Sequence, residues 1–143
     1  MTYKEIKFNL FELNDEYYLG HCISADCQSD SRAMGLGIVV EFNKRFKVKS
    51  KIQNYPKVNV GDCVLIGRSL NLITKSKYYG KPSYETIRIS LESMRDVVIE
   101  NNIKHIGLPK IGSGLDRLVW VAVREIIKDV FKELDVEIVV CYL

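Results

Sequence analysis

Two glycine pairs, Gly35-x-Gly37 and Gly112-x-Gly114, each stand near the start of a candidate helix. A glycine-lined loop at a helix N-terminus exposes main-chain N–H groups that can hold phosphate oxygens. Either loop alone could equally be a tight turn needing positive φ, but two together suit a diphosphate. Neither loop reads GxxxxGK[ST], and Ile38-Val39-Val40 stands where a GxGxxG loop would end in glycine, so nucleoside triphosphates and the standard dinucleotide site lose ground. Lys75, Lys77 and Lys81 form a basic run whose ordinary role is a solvated face. Asp116 follows the second glycine pair, where it could cap a helix beginning near Arg117 or Leu118. Cys22 and Cys27 beside His21 invite a zinc or thiol reading, yet no fourth ligand recurs at a suitable spacing, so no metal is expected. Ser113, His105 and Asp116 could be imagined as a hydrolase triad, but Ile111 occupies the first glycine's place of a G-x-S-x-G elbow. Ser113 is better suited to offering its main-chain N–H to phosphate.

The elements that must position these residues are legible from periodicity. Ile6, Phe8 and Leu10 alternate with Lys7 and Asn9 as in a half-buried strand, and Tyr17 to Ile23 is a second strand. The segment from Met34 to Phe42 runs from the first glycine pair into a helix that the basic stretch Lys44 to Lys51 finishes. Cys63 to Gly67 and Leu70 to Thr74 flank a Gly-Arg-Ser turn and predict a hairpin. Ser83 is an N-cap after Pro82, with Tyr84, Ile87, Leu91, Met94 and Val98 marking one helical stripe that Asn101-Asn102 ends. Ile103 to Leu108 reads as a strand. A second amphipathic helix follows through Val123, Ile127, Val130 and Leu134, then a terminal strand from Val136 to Leu143. His21 and His105 fall inside strands, where histidine is more often structural, and Trp120 is more often core than stacking platform. Strands alternating with helices predict an α/β sheet whose ligand lies beyond the carboxyl ends of its strands.

Length and composition bound the class. A chain of 143 residues suits one domain, taken as residues 1–143. With 47% hydrophobic and 27% charged residues it builds a packed core, which excludes disordered and collagen-like classes. A net charge of +3 is too mild to announce a nucleic-acid binder. The first seven residues alternate charged and apolar side chains, so no secretory leader is expected, and no stretch is long enough to span a membrane. Four cysteines without CxxC pairs point to a reducing, cytoplasmic compartment.

The run Leu108-Pro109-Lys110-Ile111-Gly112-Ser113-Gly114-Leu115-Asp116-Arg117-Leu118-x-Trp120 resembles the second ligand loop of macrodomains, in the terminal ADP-ribose protein glycohydrolase branch. His21-Cys22-Ile23-Ser24-x-Asp26-Cys27, Met34-Gly35-Leu36-Gly37-Ile38, Leu72-Ile73-Thr74-Lys75 and Lys81-Pro82-Ser83-Tyr84-Glu85 resemble other blocks of that branch, in family order across nearly the whole chain. The resemblance implies a three-layer αβα macrodomain with a mixed central sheet, holding ADP-ribose with its diphosphate between the two glycine loops. It puts Lys75 on the family's catalytic lysine and Asp116 on its catalytic aspartate. It implies ADP-ribose contacts from Asn9, Leu10, His21, Ser24, Met34, Gly35, Leu36, Gly37, Ile38, Thr74, Pro109, Ile111, Gly112, Ser113, Gly114 and Leu115.

The activity so implied is removal of mono-ADP-ribose from glutamate or aspartate side chains, with the lysine amine attacking C1″ of the distal ribose and the aspartate moving protons. No cofactor is needed, and the partner is ADP-ribose or an ADP-ribosylated protein met by a monomer. ADP-ribosylated nucleic acid, O-acetyl-ADP-ribose deacetylation and a non-catalytic reader are the alternatives. The chain departs from the pattern at Asn9, where macrodomains commonly carry an aspartate for the adenine amino group. A neutral acceptor there implies a weakened adenine contact. The stretch Gln28 to Ala33 looks longer than in the human-type relatives and brings Arg32 toward the first glycine loop.

Overall fold

A computed structural model describes all 143 residues. Six strands form one sheet: β1 Thr2–Lys7, β2 Tyr18–Ser24, β3 Cys63–Ile66, β4 Ser69–Lys75, β5 His105–Leu108 and β6 Glu137–Tyr142. Their order is β1-β6-β5-β2-β4-β3; every neighbouring pair is parallel except β3 with β4, which makes the sheet mixed. The five parallel strands therefore end at one rim.

Alternation along these strands sorts their side chains to two faces. Leu70, Leu72, Ile106, Leu108, Ile138 and Val140 pack beneath two long helices, α3 Tyr84–Glu100 and α4 Trp120–Phe131. Leu19, Ile23, Ile73, Val139 and Cys141 face the opposite layer. That layer holds α1 Val39–Phe46, the short α2 Val48–Lys51 and three 3-10 turns. The result is the αβα sandwich expected from sequence. No helix is long and apolar enough to cross a membrane.

Some boundaries differ from the sequence expectation for local reasons. The first strand ends at Lys7, not Leu10, because the Asn9 side chain accepts from the Phe11 N–H at 3.0 Å and folds Leu10–Glu12 into a turn. Leu10 is buried, but in the core of that turn. The basic stretch does not complete one helix: Lys47 adopts φ 54° and divides α1 from α2. Around α3, Ser83 and Thr86 form the reciprocal cap that the sequence foreshadows. Tyr84 leaves the predicted stripe, and its hydroxyl accepts from the Val119 N–H at 3.0 Å. The second helix begins at Trp120 after Val119, so Asp116 caps nothing.

Candidate active site

At the rim where the strands end lies a cleft of about 680 Å³, walled by the ends of β2 and β4 and by the loops that follow α/β passages 32–39 and 109–117. This is where topology puts a ligand: β2 lies between β4 and β5, with the strands that follow it in sequence placed first on one side of it and then on the other. Lys75 is the last residue of β4, opposite Ser24 of β2, where the register shifts by one residue. That irregularity ends the ladder and leaves the lysine side chain at the cleft floor. Its Nζ donates to Asp116 Oδ1 at 2.8 Å, with the two side chains only 16% and 14% exposed. Asp116 reaches that point from a loop turned by Gly112 at φ 75° and by Arg117, which holds an unusual φ of 61° for a side-chain-bearing residue.

One glycine of each pair is conformational and the other is spatial. Gly37 and Gly112 have positive φ, while Gly114 has nothing within 4 Å of where a Cβ would stand, leaving room for a ligand against its backbone. Cations dominate the lining: Arg32, Lys75, Lys81, Lys110 and Arg117 against the single carboxylate of Asp116. Such a cleft favours an anion. Arg32 is oriented by a two-pronged pair with Asp30, at 3.1 and 2.9 Å, and lies 5.4 Å over the Tyr78 ring. Buried Asp26 braces the wall, accepting from Ser24 Oγ at 2.5 Å and from the Tyr78 N–H at 3.0 Å.

Burial, with the nearby Asp116 carboxylate adding to it, pushes the Cys22 thiol at the cleft wall up to about 12, and burial likewise pushes Cys27 up to about 11. Both stay protonated near neutral pH, so neither offers a thiolate to compete with an amine nucleophile. No three His, Cys, Asp or Glu side chains converge as a metal site.

Ser24, Met34, Gly35, Leu36, Gly37, Ile38, Lys75, Pro109, Ile111, Gly112, Gly114, Leu115 and Asp116 all line the cleft. Five other candidates do not. His21 is fully buried, stacked on Phe42 with ring centroids 3.7 Å apart and held by Asn71 Oδ1 at 2.5 Å, so its place in the motif reflects the core and not a ligand contact. Thr74 is buried beneath the floor, Leu10 is core, and the Ser113 main-chain N–H, expected to face phosphate, donates to the Lys110 carbonyl at 3.3 Å, as the hydroxyl does at 2.7 Å. Asn9 stands beyond the end of β1, on the same rim as the cleft but outside its lining. Sequence reasoning missed Tyr78, Tyr79, Gly80 and Lys81 as lining residues. The available signal was their position: whatever joins the end of β4 to α3 must cross the cleft mouth.

No family model matches the chain. Over 139 residues it is 38% identical to the ADP-ribose glycohydrolase OARD1 of Bos taurus, covering 94% of this chain and 88% of that protein. The Homo sapiens protein of the same name is 37% identical over the same shares. Among solved structures, the macrodomain of Thermus aquaticus DarG superposes with a TM-score of 0.83 at 21% identity, covering 99% of both chains, a likeness of fold.

Proposed function

Because this chain belongs to the ADP-ribose glycohydrolase branch of the macrodomain family, we propose that it frees mono-ADP-ribose from glutamate and aspartate side chains, with Lys75 as nucleophile and Asp116 as its proton partner. By that membership it is an ADP-ribosyl hydrolase. One observation carries the residue assignment: an amine and a carboxylate 2.8 Å apart on the floor of a cationic cleft between two glycine loops.

The diphosphate takes the loops, whose main-chain N–H groups and surrounding cations suit it, and the distal ribose then lies toward Lys75. The neutral amine donates its lone pair to C1″ while the C1″–O bond breaks, and that electron pair leaves with the substrate carboxylate. The proton shed by nitrogen passes to Asp116, one hydrogen bond away. Water then adds at C1″ as the C–N bond breaks; the nitrogen takes back the proton held by Asp116, and the carboxylate so freed accepts the surplus proton of the water and passes it to solvent, releasing ADP-ribose.

Lys75→Ala is expected to lower release from a glutamate-linked substrate roughly a thousandfold, and Asp116→Ala to let a lysine adduct accumulate that intact mass detects. Unchanged turnover in Lys75→Ala overturns the nucleophile assignment. The cations at the rim favour a second reading, ADP-ribosylated nucleic acid as substrate. Its mark is a steep loss of activity with salt on DNA adducts that peptide adducts do not share.

A further inference from the structure

Seen from outside the 109–118 loop, very little holds its tip. Within the loop, the Leu118 N–H donates to the Gly112 carbonyl at 2.6 Å and the Arg117 N–H to that of Gly114 at 3.1 Å. Residues 113–117 receive two hydrogen bonds from the rest of the protein, both from lysines. Lys75 binds the Asp116 carboxylate, and Lys81 Nζ donates to the Leu115 main-chain oxygen at 2.7 Å. The Leu115 side chain itself is 64% exposed and reaches across to the first loop, its Cδ1 standing 3.2 Å from where a Cβ on Gly37 would be. These two lysine bonds differ in what the reaction does to them. The Lys75 bond is the reactive one, and its ion pair is lost when the amine becomes neutral to attack C1″. The Lys81 bond is made to a neutral carbonyl and takes no part in the proton traffic.

Lys81 is anchored for this task. It precedes Pro82, which restricts its backbone to extended conformations and is itself buried. Ser83 follows as the cap of α3, its hydroxyl accepting from the Thr86 N–H at 3.1 Å and its own N–H donating to Thr86 Oγ1 at 3.0 Å. The amine thus springs from the fixed start of a long helix and reaches across to the neighbour of Asp116.

We propose that Lys81 is a positioning residue: its ammonium, on the Leu115 carbonyl, keeps the Asp116 carboxylate in place through the interval when the neutral Lys75 amine no longer holds it as an ion pair. The inference rests on the Lys75–Asp116 chemistry proposed above. Lys81 is exposed, so its replacement leaves the core intact.

The experiment compares wild type, Lys81→Met, which keeps the stem and loses the donor, and Lys81→Arg, which keeps a charged donor. Lys81→Met should lower kcat roughly tenfold, a cost in proportion to misplacing a catalytic group, while KM and ADP-ribose affinity weaken by no more than about threefold through the loss of one of five cleft cations. Lys81→Arg should recover most of that loss. Amide hydrogen exchange at residues 113–117 should quicken in Lys81→Met alone, and Lys81→Met should cost little more once Asp116 is already alanine. A raised KM with unchanged kcat makes Lys81 a substrate contact and overturns the proposal; so does unaltered exchange at 113–117, or a full further loss in the Asp116→Ala background. Activity surviving in Lys75→Ala would instead overturn the nucleophile assignment on which this inference rests, and the exchange measurement would still judge the Lys81 bond by itself.

Discussion

The family resemblance puts Asn9 at the position of an aspartate that meets adenine, and in the structure its Oδ1 serves the Phe11 N–H. An aspartate in its place would keep that turn, since both residues cap well, and would add charge to the acceptor. Asn9→Asp is therefore expected to tighten ADP-ribose binding about threefold to tenfold, read by calorimetry, with an unchanged fold. No gain in affinity would place the adenine away from residue 9. Lys75 and Asp116, which the structure pairs, are named from contiguous blocks of the resemblance, whereas Lys81 heads such a block without any role being attached to it. Nothing in the basic run distinguishes an amine that finds a carbonyl 34 residues away from one that meets only water. His21 shows the converse: a motif residue whose strand position, inward on the α1 face, gives it to the core.

At the scale of elements, α3 does two things: it covers the sheet and it seats the Lys81-Pro82 corner. Ser83→Ala removes one half of its reciprocal cap, and a loss of about 1 kcal/mol is expected, a fall in Tm of about 3 °C for a chain of this length. If the Lys81 bond matters as proposed, this variant should also slow turnover more than its small stability loss accounts for, checked well below Tm. Long amphipathic helices and the hairpin were readable because burial repeats at 3.6 or 2 residues. The breaks were not. The turn at Leu10–Glu12 depends on one side-chain hydrogen bond, and the division of α1 from α2 on a left-handed lysine that no periodicity foretells. The removal of Asp116 from helix capping likewise depends on a helix that starts at Trp120 and not near Arg117 or Leu118.

For the whole molecule, the strand types were legible and their order was not, because long-range pairing leaves no local pattern. The layer that order creates encloses a titratable group. Burial lowers the His21 pKa from 6.5 to about 4, despite the hydrogen bond to Asn71 that opposes the shift. The folded state therefore holds the neutral ring while the unfolded chain takes up a proton below about 6.5. Stability from this group is fully present above pH 6.5 and is lost as pH falls through 4, on the order of 3 kcal/mol. Denaturation midpoints measured between pH 7 and 4 should fall accordingly, and His21→Gln, which cannot charge, should flatten that slope even if it is less stable throughout. Equal slopes in the two proteins would relocate the effect to other groups. The reacting amine and its partner are built into this architecture unequally. Lys75 ends an interior strand with neighbours on both sides, while Asp116 rides a tip with open space at Gly114. Natural variation can therefore collect in that tip without disturbing the sheet, and turnover rate and bond preference can drift under selection while the attacking group stays where it is.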